Sequence, residues 1–487
     1  MCGFVGCVGE HNEFDIDKLT ALIKHRGPDS VASFCSDTLK VVHARLSIID
    51  LSGGCQPMIS KDGRWILVFN GEVFNYKELR RTLESQNIVF QTDRSDTEVL
   101  LQMLIRYGEK ALHQINGMFS FALFDRQAQS VFCARDRFGI KPFFYTLQNK
   151  IFSFASEIKP LLACPWFSCQ PNLQALFHYF SLGYTPGNDT AFEGVKRLPP
   201  GHWLRFSHGS EEPEICSWWV PNFSGAKTES KAVLVEKLRA GLAKAVDTWS
   251  ISDVPIGCSL SGGLDSSAIV GLLSGRGKQV KTYSLGLSGY GEASWNELEL
   301  ARIVAQRWGT EHREIILQPR TLLADLVKMV SSLEEPYGGG LPSWAIFKAM
   351  KGEIKVAMTG VGGDELFGNY NRFYAMEGGR LARIPCFLHR QATRTNFEKN
   401  WFLKYAFASD HEKISRVLTG CFQGAEETLD FMWRQFNVGS TKEVLRDRVV
   451  RMDLATQLPN EFLQMTDRFS MAHSIEARTP FLDLELS

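Results

Sequence analysis

The chain opens MCGFVGCV, with a cysteine directly behind the first methionine. Removal of Met1 would leave Cys2 at the N-terminus, where it carries both a thiol and a free α-amine. An α-amine titrates at about 7.7–8.0, close enough to neutrality to accept a proton from the thiol. Cys2 is therefore a candidate nucleophile, although any of the 11 cysteines could also fall here by chance. Cys7, at the end of the same apolar run, is interpreted as a packed strand residue.

A second candidate site is the stretch SLSGGLDSS, residues 259–267. It follows a predicted strand and enters a predicted helix, whose N-terminus favours negative charge. Its two glycines allow a tight turn that brings backbone N–H groups close to an anion. Because it lacks the GxxxxGK[ST] pattern of a P-loop, we interpret it as a phosphate-binding loop of another class; a plain Gly/Ser turn is the alternative. Its hydroxyl donors are Ser261, Ser266 and Ser267.

Asp265, in the same stretch, adds a carboxylate where phosphate is expected. A carboxylate is favourable there when a cation lies between the two, and Mg²⁺ is the natural candidate. A later stretch, TGVGGDELFG, also follows an apolar strand and places Asp364 and Glu365 after a glycine turn. We expect Asp265 and Asp364 to hold Mg²⁺, with Glu365 either completing the site or lying solvated in an acidic turn.

Short apolar or alternating runs dominate residues 1–160 and predict β-structure. Two stretches with apolar residues at helical spacing interrupt these runs, Tyr76–Gln86 and Asp96–Tyr107. Turn signals such as KDGR and FNGE separate them. The predicted strands are Cys2–Val8, Leu39–His43, Trp65–Phe69, Met118–Phe124, Val131–Ala134 and Phe143–Tyr145.

Residues 186–230 are dense in turn formers, as in YTPGNDT and RLPPG, and are predicted to connect two domains. Beyond them, strands such as VPIGCSL, VKTYSLGL, HREIIL and IKVAMTG alternate with helices. This alternation predicts a parallel sheet covered on both faces, which binds ligands beyond the carboxyl ends of its strands. The predicted helices include Lys231–Ser250, one that begins at Leu264, and Asn296–Gly309.

Composition limits the class of protein. At 487 residues the chain exceeds one ordinary domain. Lys plus Arg and Asp plus Glu both number 54, which gives no reason to expect nucleic acid or an anionic membrane as a partner. The cysteines are scattered without zinc-binding spacing, as is usual in a reducing compartment. With neither a signal peptide nor an apolar run long enough to span a bilayer, we expect a cytoplasmic protein.

Taken together, these stretches make the chain similar to the glutamine-hydrolysing asparagine synthetases. The first 160 residues resemble a class II glutamine amidotransferase domain, which is an N-terminal-nucleophile hydrolase. The second half resembles the ATP pyrophosphatases, which adenylylate a substrate and release pyrophosphate. The matching stretches are HRGPD (25–29), ARLSIIDL (44–51), FNGEVFNY (69–76), RSDTEVLL (94–101), GMFSFALFD (117–125), ARDRFGIKP (134–142), SLSGGLDSS, VGGDELFG (361–368) and IEARTPFLD (475–483).

The resemblance implies an α+β N-terminal-nucleophile hydrolase sandwich followed by an α/β parallel-sheet ATP-pyrophosphatase domain. We expect the glutaminase domain at residues 1–185, the connecting segment at 186–230 and the synthetase-type domain at 231–487. The sequence stops soon after EARTPFLD, so we expect a C-terminally shortened member of the family. The lysine that serves pyrophosphate in the family is therefore not assigned.

In the first half, the resemblance implies that Cys2 attacks the side-chain amide of glutamine, forms a thioester and releases ammonia. Asn70, through its side chain, and Gly71, through its backbone N–H, would form the oxyanion hole. Arg45 would pair with the α-carboxylate of glutamine, which suits its planar fork of donors. The α-ammonium group would be held by Glu72 and Asp96.

In the second half, the resemblance implies that ATP activates a carboxylate as an acyl-adenylate, which ammonia then converts to an amide. Asp265 and Asp364 would manage Mg²⁺ and pyrophosphate. Arg478, within IEARTPFLD, is either a site residue or a brace of the synthetase core. The implied ATP-binding residues are Leu260, Ser261, Gly263, Asp265, Ser266, Ser267, Leu285, Thr359 and Gly360.

Val361 stands where the family usually carries Glu or Asp, close to the activated carboxylate. The expected substrates are glutamine, ATP and a carboxylate acceptor, with aspartate as the acceptor and a homodimer as the family's usual assembly. Because valine can neither accept a proton nor bind an ammonium group, a sugar uronate used for surface polysaccharide stays open as acceptor, as does a regulatory protein that keeps only its glutaminase. A phosphoribosyl or sugar-isomerase amidotransferase would share the first half, but SLSGGLDSS argues against it since those enzymes make no adenylates.

Overall fold

A computed structural model of the chain describes residues 2–10, 13–223, 229–275, 277, 279–288, 296–377, 393–417, 422, 425–439 and 443–486. Across these ranges, two six-stranded antiparallel sheets are followed by a five-stranded parallel sheet. The predicted fold class is confirmed, since an α+β sandwich precedes an α/β unit.

The first sheet contains β1 (Gly3–Val8), β2 (Ser30–Cys35), β3 (Leu39–Arg45), β8 (Phe144–Gln148), β9 (Ile151–Ala155) and β10 (Lys196–Arg197). Its strand order is β10-β8-β9-β1-β3-β2, so β1 lies inside the sheet, between β9 and β3. All six residues of β1 are buried. Cys7 packs among them, as predicted. Cys2 immediately precedes this strand, which gives the candidate nucleophile a rigid support.

The second sheet contains β4 (Met58–Ile59), β5 (Trp65–Val73), β6 (Gly117–Asp125), β7 (Ser130–Arg135), β11 (His202–Ser207) and β12 (Glu214–Ser217), in the order β12-β11-β7-β6-β5-β4. The two sheets pack face to face through buried side chains such as Phe4 and Val41 from the first and Val68 and Phe124 from the second. Helices cover the outer faces: α1 (Ile16–Ile23) and α4 (Ile158–Leu162) pack on the first sheet, and α2 (Tyr76–Ser85) and α3 (Asp96–Tyr107) on the second.

The third sheet contains β13 (Ile256–Ser259), β14 (Lys281–Leu287), β15 (Glu311–Leu317), β16 (Val356–Met358) and β17 (Glu476–Arg478), all parallel and in the order β15-β14-β13-β16-β17. Its helices include α6 (Lys231–Trp249), α7 (Leu264–Ser274), α8 (Leu298–Trp308), α9 (Pro319–Leu333) and α10 (Ser343–Met350). The loop after β13 and the loop after β16 leave neighbouring strands at the same edge. The two glycine-rich stretches therefore meet, as expected for a parallel sheet.

The remaining helices are α5 (Leu173–Leu182), α11 (Gly363–Phe367), α12 (Arg394–Phe397), α13 (Leu403–Tyr405), α14 (Asp410–Glu412), α15 (Thr428–Asn437), α16 (Leu445–Ala455) and α17 (Leu463–Met471). Short 3₁₀ or π segments lie at 108–113, 371–377, 398–402, 413–417, 458–462 and 480–482. Helix α17 continues directly from the segment 458–462 and packs against α9, α10 and β17. It therefore belongs to the synthetase-type half.

The predicted connecting segment, residues 186–230, contains β10, β11 and β12. Strand β10 pairs with β8, β11 pairs with β7, and β12 pairs with β11, so all three belong to the antiparallel sheets. Residues 224–228 of that segment lie outside the described ranges. The domain boundaries stay a prediction. In the part of the chain that the structure describes, no helix has the length and hydropathy needed to cross a membrane.

Candidate active sites

Cys2 lies directly before β1 of the first sheet, and the residue is 6% exposed. Its backbone nitrogen donates a hydrogen bond to Oδ1 of Asn70 over 3.0 Å. Burial raises the pKa of the Cys2 thiol, so at neutral pH the thiol keeps its proton until a base removes it. Met1, whose removal would free the α-amine, lies outside the described residues.

Asn70 lies on β5 and is completely buried. Its Oδ1 is used by Cys2, while its Nδ2 has no hydrogen-bond partner among the described residues. An unpaired buried amide N–H₂ costs free energy unless something else accepts from it. This donor lies on a residue that contacts the candidate nucleophile, and a negatively charged oxygen would satisfy it.

Gly71 follows Asn70 and has a backbone φ of +150°. A Cβ at this position would lie 2.0 Å from the carbonyl oxygen of Met118 on the paired strand β6. Only glycine allows β5 to approach β6 here while keeping this conformation. Backbone geometry therefore accounts for the glycine in the stretch FNGE, and the asparagine before it contacts Cys2.

Substitution of Gly71 by alanine is expected to lower the free energy of unfolding by about 3 kcal/mol, since it combines strain with a backbone clash. Gly309, the left-handed residue that ends α8, is the matched control because a methyl group added there would meet no atom within 4 Å. Gly309→Ala should cost only about 1 kcal/mol. Urea unfolding of both variants measures the difference, and equal losses would contradict this account of Gly71.

Arg45, at the end of β3, is held by the loop that follows it. Its guanidinium group donates to the carbonyl oxygens of Leu51 at 3.1 Å, Asp50 at 2.6 Å and Ile49 at 3.4 Å. These bonds fix the guanidinium plane without neutralising its charge. The buried cation is therefore ready to receive a carboxylate.

Glu72 and Asp96 form a buried acidic pair, one on β5 and one at the start of α3. Oδ2 of Asp96 accepts from the backbone nitrogen of Val73 at 3.0 Å, whereas Oε2 of Glu72 has no hydrogen-bond partner in the described ranges. Burial, followed by the charge of Asp96, raises the pKa of Glu72 well above its ordinary value. Burial also raises the pKa of Asp96. A bound ammonium group would relieve both effects.

Arg26, in the stretch HRGPD, also contacts the nucleophile, although its sequence position alone assigns it no role. Its Nε donates to the backbone carbonyl oxygen of Cys2 at 3.0 Å. In the sequence, the feature that points to Arg26 is its position in HRGPD, a stretch that resembles the family. Its partners, which come from residues 131 and 441 positions away in the chain, could not be predicted from local spacing.

The second candidate site is a cavity of about 1300 Å³ at the carboxyl edge of the parallel sheet. Val361, which belongs to the second glycine-rich stretch, also lines it. Of the predicted nucleotide-binding residues, those that line the cavity are Leu260, Ser261, Gly263, Asp265, Ser266, Ser267, Leu285 and Gly360.

The loop after β13 is held by its own serines. Oγ of Ser261 lies 3.0 Å from Oγ of Ser266 and accepts from the backbone nitrogen of Gly263 at 3.2 Å. Oγ of Ser267 is buried with no hydrogen-bond partner among the described residues. Gly262 has φ +84°, and a Cβ there would lie 2.7 Å from the backbone nitrogen of Ala301 in α8. The glycine therefore lets α8 pack directly against a loop that leaves a hydroxyl free for a ligand.

Asp265 and Asp364 come together from the two loops, and the backbone N–H of Asp364 donates to the Asp265 carboxylate. Burial, then the charges of Asp364 and Glu365, raises the pKa of Asp265 from 3.8 to about 6. Within the described ranges, no group of three or more His, Cys, Asp or Glu side chains is arranged to hold a metal ion. Two carboxylates suffice for Mg²⁺ when phosphate oxygens and water complete its shell, so this pair fits that ion.

Glu365 lines the same cavity but is not solvated. It is buried, and its carboxylate accepts from the backbone nitrogen of Gly362 at 2.9 Å and from the hydroxyl of Tyr370 at 2.7 Å. The expectation of a solvated acidic turn is therefore wrong for this residue. Its carboxylate instead fixes the start of α11, on which Asp364 is carried.

Two predicted residues lie behind the cavity wall. Thr359 is buried, and its nitrogen and hydroxyl both donate to the carbonyl oxygen of Arg478, at 2.9 and 3.2 Å. Arg478 pairs with Glu476 at 2.6 Å and donates to the carbonyl oxygens of Trp249 and Ile251. The position of Arg478 matches the bracing role, and ATP binding by Thr359 stays a prediction.

Two family models match the chain in succession. The first, described as a glutamine amidotransferase domain, matches residues 1–219. The second, described as asparagine synthase, matches residues 237–487. Together they cover both candidate sites.

Individual proteins are similar over nearly the whole chain. Asparagine synthetase (glutamine-hydrolyzing) 1 of Bacillus subtilis (strain 168) is 31% identical over 510 residues, covering 99% of this chain and 79% of that protein. Amidase chry2 of Gibberella zeae is 31% identical over 528 residues, covering 96% of this chain and 76% of that protein. Among solved structures, a glutamine phosphoribosylpyrophosphate amidotransferase from B. subtilis with ADP and GMP gives a TM-score of 0.34 at 16% identity, over 75% of this chain and 77% of that one.

Proposed function

Since the chain belongs to the family of glutamine-hydrolysing asparagine synthetases, we propose that it uses ATP and glutamine-derived ammonia to amidate a carboxylate, with aspartate as the acceptor. The observation that carries this proposal is the pairing of two sites in one chain. One joins Cys2 to Asn70, whose amide donor has no partner among the residues that the structure describes. The other places Asp265 and Asp364 on a cavity of about 1300 Å³.

In the first reaction, the α-amine of Cys2, held at Oδ1 of Asn70, takes the thiol proton. Because burial raises the pKa of the thiol, a base such as this amine is needed to remove its proton. The sulfur then attacks the carboxamide carbon of glutamine, and the oxygen that becomes negative accepts from Nδ2 of Asn70 and from the Gly71 N–H. The Cys2 ammonium group returns that proton to the amide nitrogen, ammonia leaves, and water hydrolyses the resulting thioester to glutamate and the free thiol.

Glutamine would be oriented by charge at its other end. Its α-carboxylate pairs with the preorganised guanidinium group of Arg45, and its α-ammonium group with the acidic pair Glu72 and Asp96. Oε2 of Glu72, which has no hydrogen-bond partner within the described ranges, supports this assignment. The arrangement selects an amino acid with both charged groups and rejects a simple amide.

In the second reaction, a carboxylate oxygen of the acceptor attacks the α-phosphorus of ATP and displaces pyrophosphate, and ammonia then attacks the acyl carbon and displaces AMP. The loop 259–267 would hold the phosphates through backbone N–H groups and the free hydroxyl of Ser267. Asp265 and Asp364 would hold Mg²⁺, which supplies charge neutralisation for the leaving pyrophosphate.

An acceptor screen tests the proposal. Purified chain is incubated with glutamine, Mg²⁺, ATP and one carboxylate at a time, namely aspartate, glutamate, glucuronate or galacturonate, while pyrophosphate and the amide product are measured. We expect pyrophosphate release with aspartate in a 1:1 ratio to amide. Glutamate, which is longer by one methylene, should be about 10- to 200-fold slower in kcat/KM.

Each alternative gives a distinct result in the same screen. Amidation of a uronate without amidation of aspartate would show that the acceptor is a sugar acid, the alternative that Val361 leaves open. Glutamine hydrolysis with no pyrophosphate release for any acceptor would indicate a protein that keeps only its glutaminase. Ammonium chloride in place of glutamine is the control that separates a defect in ammonia supply from one in adenylylation.

A further inference from the structure

Arg26 connects the nucleophile with the other half of the chain. Its Nε donates to the Cys2 carbonyl oxygen at 3.0 Å, while Nη1 and Nη2 donate to the two carboxylate oxygens of Asp467 at 2.8 and 3.1 Å. Asp467 lies on α17, within the residues matched by the asparagine synthase model. One guanidinium group thus spans both matched regions.

The contact is part of a fully buried ionic network. Nη1 of Arg26 also bonds Glu157 at 2.9 Å, and Arg468, the neighbour of Asp467, pairs with Glu157 at 3.1 Å and with Glu334 at 2.9 Å. Each of these side chains is at most 3% exposed. Burial alone would raise the pKa of Glu157, but His25, Arg468 and Arg26 hold it well below its ordinary value. Glu157 therefore stays ionised and pairs with both arginines.

The geometry of Arg26 makes its position depend on Asp467. A bidentate pair fixes the guanidinium plane as well as its distance. Nε, which faces Cys2, belongs to that same plane. Any shift of the Asp467 carboxylate therefore moves Nε of Arg26. This atom donates to the carbonyl oxygen of Cys2, and the carbonyl carbon is bonded directly to the Cα that carries the thiol side chain.

We propose that Asp467 is a positioning residue for Cys2, supplied by the synthetase-type half and acting through Arg26. The inference rests on the proposed glutaminase reaction. Met465, two residues before Asp467 on α17, and Phe462, just before the helix, line the nucleotide cavity. The same short segment therefore contacts one site and orients the nucleophile of the other.

The test uses glutamine hydrolysis by the full-length chain, which needs neither ATP nor a known acceptor. Asp467→Glu keeps the charge but moves the carboxylate by one methylene. We expect kcat for hydrolysis to fall about 10- to 100-fold, as for a small misplacement of a reacting group. KM should stay within about threefold of the wild-type value, because Arg45, Glu72 and Asp96 are untouched.

A double variant distinguishes positioning from general loss of structure. Arg26→Lys alone should also lower kcat, and the combination with Asp467→Glu should be no slower than the slower single variant, since both act on one contact. Asp325→Asn is the matched control: this buried acid of α9 bonds Trp344 and Lys348, and none of the three lines the nucleotide cavity or bonds Arg26 or Cys2. It should leave both kinetic constants at wild-type values.

Unchanged kcat in Asp467→Glu would overturn the proposal, as would multiplicative losses in the double variant or an equal loss in Asp325→Asn. If Asp467→Glu does not fold, Arg26→Lys decides: a lowered kcat at constant KM supports the proposal, and wild-type kinetics overturn it. A wild-type chain that hydrolyses no glutamine contradicts the proposed function itself, and the inference with it. That result is recognised before any variant is compared.

Discussion

Replacing Cys2 by alanine is expected to abolish glutamine-dependent amidation while ammonia-dependent amidation continues. The thiol is the group that we propose to bond to the glutamine carbon, so its removal should lower glutamine hydrolysis by at least about 10⁴-fold. The synthetase cavity lies on a different sheet and uses none of the same side chains. Its kcat with ammonium chloride should therefore remain within about twofold of wild type.

Cys7→Ala is the matched control for this experiment, because Cys7 lies on the strand that Cys2 precedes but packs in the core. It should lower the melting temperature slightly and leave both nitrogen sources usable. Equal loss of glutamine- and ammonia-dependent activity in Cys2→Ala would show that the thiol is not a dedicated glutaminase nucleophile. Retained glutamine use would show that another group attacks the amide.

Much of the first site could be predicted because its residues lie in short stretches with unusual composition. Cys2, Arg45, Asn70 and Asp96 each belong to a stretch that resembles the family. Cys2 contacts Asn70 on β5, and Asp96 bonds the backbone of the same strand at Val73. The role of Arg26 could not be found this way. Its chemistry depends on Asp467, 441 residues away, and no local periodicity reports such a contact.

The parallel sheet was predictable for a similar reason. Apolar runs such as VKTYSLGL alternate with stretches of helical spacing, and β14 (Lys281–Leu287) coincides with that run except for its first residue. Strand β17 was missed because EAR is short, and its two charged residues are buried through partners, including each other, that the local sequence does not reveal. Sequence hydropathy alone indicates a surface loop for such a strand.

The solvated alternative for Glu365 fails for a comparable reason. An acidic residue in a glycine turn is usually solvated, and nothing local signals that Tyr370 and the Gly362 N–H enclose this one. Burial of a charged group becomes favourable only when partners satisfy it. Those partners are fixed by the fold of the loop rather than by its composition.

Replacing Asp265 by asparagine is expected to make the chain more stable and the synthetase reaction slower. Asparagine keeps the shape of the side chain but removes the charge that we propose to hold Mg²⁺. ATP-dependent amidation should fall by about 10³-fold at saturating ammonium, while glutamine hydrolysis stays within about twofold of wild type. Pyrophosphate release and glutamate formation measure the two reactions separately.

The gain in stability follows from the direction of the pKa shift. In the folded chain the pKa of Asp265 is about 6 instead of 3.8, so the folded state binds this proton more tightly than the unfolded state. The stabilisation from that proton is present at low pH and is lost as the pH rises from about 4 through about 6. Asparagine avoids the loss and should raise the free energy of unfolding at pH 7.5 by about 1 kcal/mol, after allowance for the half-exposed carboxyl.

The raised pKa of Asp265 also predicts how catalysis depends on pH. As the pH falls below about 6, Asp265 takes up a proton and loses its value as a metal ligand, so the Mg²⁺ concentration for half-maximal amidation should rise in wild type. Glu365→Gln is the contrasting control, because it weakens hydrogen bonds from Gly362 and Tyr370 and should destabilise the chain by about 1–2 kcal/mol. If Asp265→Asn also destabilised at pH 7.5, the carboxylate would be a structural partner, whereas a stable but inactive variant identifies it as a charge kept for its ligand.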